Sequence, residues 1–210
     1  DSGTPVVKIV KPYRNTDLIY EKLRDAERRG CVAVGMDIDY FYGSQSVDGE
    51  VLRTETFGPQ RTEEMKQLIA QAKLPFIVKG VLSIADAEKA LQLGASAILV
   101  SNHGSGSLSY GVPSAIALPK IAERYSDKLT ILVDTGFETG NDVLKGLALG
   151  ARGVGFGSSI ILALAADGAT GVETLINGIT AELNRTMAAT GCPNLASISR
   201  SILVSLPWHV

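Results

Sequence analysis

"QLGASAILVS" (residues 92–101) runs from a helix-like end through a glycine and small residues into a continuous apolar stretch. The same succession occurs in "RRGCVAVGMD" (28–37) and in "ALGARGVGFG" (148–157). A strand apolar on both faces must be covered on both faces. Repeated units of this kind therefore specify a parallel sheet flanked by helices.

Outward from these three units, strands are expected in "PVVKIVK" (5–11), "VAVGMDID" (32–39), "PFIVKGV" (75–81), "AILVSN" (97–102), "TILVDTG" (130–136) and "GVGFG" (153–157). Helical spacing of apolar residues marks 15–30, 61–73, 83–94, 114–126 and 140–150, as in Leu18, Leu23 and Ala26 or in Ala87, Ala90 and Leu91. Asn15 or Thr16, Ser83 and Asn141 stand where N-caps belong, and Gly30, Gly94 and Gly150 where helices stop. "GVETLINGITAELNRTMAATGCPNLASISRSIL" (171–203) reads as a long helix followed by a short cap.

A doubly wound open sheet and a (β/α)8 barrel both fit this alternation. Glycine and polar residues follow nearly every strand, rather than gathering at one switch point, and this favours the TIM-barrel type. Six strands are present where a barrel needs eight. The expectation is a single partial domain over residues 1–210, lacking two N-terminal βα units. A barrel shared with another chain and a smaller α/β sheet are the alternatives.

Bulk composition narrows the function. The chain has 210 residues, 45% of them hydrophobic, enough for one substantial core. A net charge of −2 argues against a polyanion binder. The two cysteines, Cys31 and Cys192, form neither a disulfide framework nor a metal-binding pair, so a reduced, cytoplasmic setting is expected. No apolar run is read as reaching membrane-spanning length. The expected partners are a small-molecule substrate and further copies of the chain, with no nucleic acid and no membrane.

In a barrel, chemistry collects at the C-terminal strand ends. Asp37, Asp39, Lys79, Ser101 to His103, Asp134 to Gly136 and Gly155 to Ser159 hold those positions. Singly each is weak: a strand-end lysine can snorkel, a lone histidine is more often structural, and Asp134 can cap the next helix. In order, they supply a cation, a base and two glycine-rich turns that lead into helices. Backbone N–H groups in such turns cradle phosphate. A phosphate-bearing cofactor or substrate is expected after the last two strands, with Lys79 and His103 facing its reactive part.

"PFIVKGVLS", "GASAILVSNHG", "IALPKIAE", "ILVDTGFETGNDVLKGLALGARGVGFG" and "LNRTMAATGCPNLASI" resemble the FMN-dependent α-hydroxy-acid oxidase/dehydrogenase family, which includes glycolate and lactate oxidases. The resemblance runs from about residue 5 to residue 203. It implies FMN as cofactor and metal-free oxidation of a 2-hydroxy acid or related small hydroxy compound. It also implies roles. Lys79 contacts the flavin N1/O2 edge and, with His103, forms the catalytic pair, His103 being the base. Ser101 contacts the flavin ring, Asp134 and Gly136 form the ribityl and phosphate loop, and Gly155, Gly157 and Ser158 complete the phosphate turn.

Departures from the family pattern are specific. Gly106 stands where the family carries a substrate-binding arginine, and Tyr110 looks like an insertion. A second substrate arginine is not visible in "YFYGSQSVDGE" (40–50). Glu138 and Ser158 occupy the places of phosphate-side arginines. Losing guanidiniums removes a bidentate grip on carboxylate or phosphate. Two other readings therefore stand beside the oxidoreductase: a barrel that binds flavin or another phosphate ligand without turnover, and an enzyme using Lys79 as a Schiff-base nucleophile.

Overall fold

The structure, a computed structural model, describes residues 3–39, 45–46, 49–50, 57–105 and 110–204. Strand β1 (Val7–Val10) leads to α1 (Thr16–Arg28) and β2 (Ala33–Asp37). A two-residue ladder, β3 (Gln45–Ser46) with β4 (Gly49–Glu50), precedes α2 (Thr62–Gln71). Then come β5 (Phe76–Val81), α3 (Ile84–Gln92), β6 (Ala97–Val100), α4 (Ser114–Tyr125), β7 (Thr130–Val133), α5 (Gly140–Ala148), β8 (Gly153–Val154) and α6 (Ser158–Ala189). The six long-range strands are all parallel in the order β1-β2-β5-β6-β7-β8, an open, curled half-barrel. The partial TIM-barrel reading holds.

Alternation along the strands separates two apolar layers. Val10, Val34, Met36, Val78, Ile98 and Ile131 face the helices and pack with Ile19, Leu68, Leu118 and Ile121. Ile9, Ala33, Ile77, Ala97, Leu99 and Leu132 form a smaller cluster on the concave side. Curling brings β1, β2 and β5 so close that Gly35 has no room for a side chain. A Cβ there would lie 2.3 Å from the Ile77 carbonyl oxygen and 2.9 Å from the Ile9 side chain.

Local signals set the helix ends as expected at most positions. Asn15 accepts hydrogen bonds from the Asp17 and Leu18 amides, and Ser83 accepts one from Asp86. Gly30, Gly94 and Gly150 follow α1, α3 and α5 with φ of +72°, +90° and +107°. At α5 the cap is Thr139, not Asn141: Thr139 and Asp142 form a reciprocal capping box. Asn141 instead donates to Glu182 and accepts from Thr186 on α6. The Gly140 amide also donates to Glu182, at 2.9 Å. Helix α6 crosses so near that a Cβ on Gly140 would meet the Leu183 amide nitrogen at 2.3 Å.

Helix α6 starts earlier than the sequence pattern suggests and is broken at Asp167 and Gly168. By length and composition alone it is long and apolar enough to cross a membrane, which the sequence reading did not anticipate. The break falls inside the apolar part. The stretch Ser158–Ala166 rises only about 14 Å at ~1.5 Å per residue, less than half of a ~30 Å hydrocarbon layer.

Candidate active site

Parallel strands place all their C-terminal ends on one rim, and the chemistry-bearing residues follow. Lys79 closes the regular part of β5, while Asp39, Ser101, His103, Asp134, Gly136, Gly155 and Gly157 lie just past their strands. A cleft of about 330 Å³ opens there, within the size range of small-molecule sites. Lys79, His103, Asp134, Gly136, Gly157 and Ser158 line it together with Thr135, Glu138 and Ser159. Ser101 and Gly155 do not. A second cavity of about 210 Å³ lies against Met36, Val78 and Met65, and neither Lys79 nor His103 borders it.

A charged layer crosses three neighbouring strands. Asp37, 1% exposed, is paired with Lys11 through Oδ2 and with Lys79 through Oδ1 at 3.1 Å. Register explains the meeting: Asp37 pairs with Lys79 across β2 and β5, and Lys11 follows Val10, which pairs with Met36. Burial opposes ionisation of Asp37. The Lys11 hydrogen bond and the charges of Lys79 and Lys11 outweigh it, holding the carboxyl below its ordinary range. Lys79 further approaches the buried Ser101 Oγ at 3.4 Å and Asp134 at 4.0 Å. Ser101 is therefore placed beneath the rim, where it also accepts the His103 amide at 3.2 Å.

His103 Nδ1 sits 3.2 Å from Asp39 Oδ1. An ionised carboxylate only accepts, so Nδ1 carries the proton and Nε2 is left as the basic nitrogen. Two positions beyond Asp37, Asp39 points to the same face, one layer nearer the mouth. Its seat is made by Gly80, whose φ of +101° belongs to an irregularity in β5 between Lys79 and Val81. A Cβ on Gly80 would stand 2.5 Å from Asp39 Cγ and 2.6 Å from its Cβ. Gly80→Ala is thus expected to push Asp39 away from His103 and to cost about 1–3 kcal/mol in backbone strain. Imidazole ¹⁵N shifts, in a chain with only two histidines, should show His103 losing its fixed Nδ1–H tautomer; an unchanged tautomer would refute this.

Backbone strain gathers at the cleft. His103 has φ of +52° and Thr135 +67°, both in the region that favours glycine, and for the β-branched Thr135 this is a marked outlier. Thr135 donates to Asp134 at 2.9 Å and lies 3.5 Å from Ser101 Oγ. Over-determined strain of this kind concentrates at functional sites.

The phosphate side differs between its two helices. At α5 the Glu138 and Thr139 amides are already bound by Asp142, and the Gly140 amide by Glu182. At α6 no side chain caps the first turn, and the buried Ser159 Oγ has no hydrogen-bond partner among the described residues. The Ser158 and Ser159 amides, which precede the first bonded amide of α6 at Ile160, and an orphaned hydroxyl fit a phosphate. No Cβ contact restricts Gly136 or Gly157 within 4 Å, so a ligand can approach the backbone there. Glu138 is exposed on the same cleft and brings a negative charge where a guanidinium would help.

Sequence reasoning foresaw the rim, Thr135 included within Asp134 to Gly136, but missed Lys11 and the Asp39 pairing. Lys11 ends its strand as Lys79 does, a signal that was present. Asp37, Asp39 and His103 also offer ligand atoms within 4.8 Å of one another. A cation there would compete with two ammonium groups for Asp37. The Gly106 position and the segment expected to hold a second arginine lie outside the described residues, apart from the backbone of β3 and β4.

A parallel half-barrel with a phosphate-fitting helix terminus, a lysine and an Asp-paired histidine on one rim is the layout of a phosphate-ligand-binding α/β barrel. Residues 41–205 match the FMN-dependent dehydrogenase family. The chain belongs to that family, so the FMN inferred from the sequence is the family's cofactor. It is 47% identical over 135 residues to an L-lactate dehydrogenase of Azorhizobium caulinodans, covering 64% of this chain and 36% of that protein. Glycolate oxidase 1 of Oryza sativa subsp. indica is 39% identical over 156 residues, covering 74% and 41%. A solved mandelate oxidase with 3,3-difluoro-2-hydroxy-3-phenylpropionic acid superposes with a TM-score of 0.87 at 32% identity, covering 94% of this chain and 62% of the other. The chain thus spans about two fifths of the length of these curated relatives.

Proposed function

We propose that the chain, as one domain over residues 1–210, provides the flavin-holding rim and proton-transferring histidine of an FMN-dependent oxidoreductase acting on a 2-hydroxy acid or related small hydroxy compound. The observation that carries this reading is the His103–Asp39 pair on the same rim as Lys79 and the open α6 terminus. FMN, when bound, supplies a ring system that accepts two electrons. Ser159 and the first-turn amides of α6, with Gly136, Gly157 and Ser158, would hold its phosphate. Asp134 would face the ribityl chain, with Gly155 supporting the turn and Ser101 placing Lys79 and the His103 backbone from below. The Lys79 cation favours negative charge that develops beside it. His103 Nε2 takes the proton the substrate gives up, and Asp39 stabilises the resulting imidazolium.

Relatives named for lactate, glycolate and mandelate chemistry support the substrate class. Two free cysteines fit a reduced, cytoplasmic setting, and the partners proposed are a small molecule and further copies of the chain. A flavin-binding barrel without turnover is favoured by one feature, Glu138 on the cleft in place of a cation. The Schiff-base reading is weakened, because Lys79 Nζ is engaged by Asp37, Ser101 and Asp134, contacts an attacking amine would give up. Purified protein carrying this chain should be yellow, and its flavin should bleach anaerobically with one or more small 2-hydroxy acids. Colourless protein that does not take up FMN overturns the reading. Flavin that binds but is reduced by none of the panel selects the barrel without turnover.

A further inference from the structure

Lys11 was not foreseen, and the FMN reading above gives it no role. It stands at the end of β1, and its ammonium takes one oxygen of the buried Asp37 carboxylate. Lys79, from the other side, takes the second oxygen. Lys79 also has Asp134 4.0 Å away. The layer therefore holds two cations and two carboxylates, and Lys11 supplies half of its positive charge. Without Lys11, the single ammonium of Lys79 would face two carboxylates. The layer beneath the rim would then carry a net negative charge.

We propose that Lys11 is a positioning residue: by neutralising half of the demand made by Asp37, it leaves the charge of Lys79 available to the cofactor. The inference rests on the proposed FMN site, and it concerns residues of this chain alone. Asp37 is 1% exposed, so solvent cannot screen it and a side chain must. Lys11, the residue directly after β1, reaches it. Its own side chain is 33% exposed, so it can bring in the compensating charge at a smaller desolvation cost than a second buried lysine would carry. Asp39, paired with His103 one layer nearer the mouth, adds a further carboxylate close to Asp37, which raises the demand for positive charge that Lys11 helps to meet.

The test is the midpoint potential of bound FMN, measured by equilibration with a reference dye. At an effective dielectric near 20, deleting one unit charge two contacts away changes such an equilibrium by about tenfold. Lys11→Met should therefore lower the equilibrium constant for two-electron reduction about tenfold, or about 30 mV. Lys11→Arg should hold the wild-type potential. Lys11→Met combined with Asp37→Asn should recover it, because the carboxylate left without its partner is gone. A purely structural role for Lys11 would not be rescued in this way.

A flavin-loaded Lys11→Met protein with wild-type potential overturns the inference while leaving the cofactor reading intact. So does a drop that the double variant fails to recover. Wild-type protein that binds no FMN overturns both. Should Lys11→Met fail to fold by circular dichroism, the double variant carries the test against Lys11→Arg. Equal potentials then support the inference, and a lower potential in the double variant overturns it.

Discussion

His103→Ala is expected to keep FMN bound and to slow its reduction by substrate by about 10²–10⁴-fold, the range for losing a positioned acid–base group. Binding should survive because the phosphate contacts come from α6 and the cation from β5, neither of which rests on the imidazole ring. Asp39 Oδ1 lies 3.2 Å from the ring's Nδ1. Asp39→Asn makes a companion, since an amide can accept from Nδ1–H but does not stabilise an imidazolium as a carboxylate does. It should fall between wild type and His103→Ala. Stopped-flow reduction under anaerobic conditions, with flavin content measured by absorbance, separates the two effects. If His103→Ala reduces at the wild-type rate, the histidine merely ends a strand.

Gly157→Asp should do the reverse, abolishing the cofactor while sparing the fold. Gly157 precedes α6 with φ of −111°, and a Cβ there meets nothing within 4 Å. A carboxylate beside the open first turn complements the helix dipole, worth about 0.3–1 kcal/mol, so thermal stability should hold or rise slightly. The same carboxylate would sit against a phosphate. Like-charge juxtaposition costs several kcal/mol, and the Kd for FMN should rise about 100-fold or more. Gly157→Ala adds bulk without charge and should change Kd far less. Titration of apoprotein by flavin fluorescence quenching measures both. Unchanged FMN affinity in Gly157→Asp would place the phosphate elsewhere.

The elements readable in advance are those set by neighbours in the chain. All six parallel strands and the five helices between them follow from periodicity, and Asn15, Ser83, Gly30, Gly94 and Gly150 terminate helices through bonds or dihedrals only a few residues long. Thr139 and Asn141 are both capping residue types, and the choice between them was made elsewhere. Glu182 and Thr186, more than 40 positions away, claim Asn141 and leave Thr139 to cap.

By itself, the sequence determined that Lys79, His103 and Asp134 share one rim. Parallel strands leave their C-terminal ends together, so position along a strand is enough. Which carboxylate serves which base or cation was decided only by the tertiary structure. Asp37 and Asp39 are two residues apart and indistinguishable as letters. The register of β1, β2 and β5 hands Asp37 to Lys11 and Lys79, and the irregularity at Gly80 makes the space that gives Asp39 to His103. Charge pairing depends on distances of a few ångströms across strands, and those distances exist only once the sheet has curled.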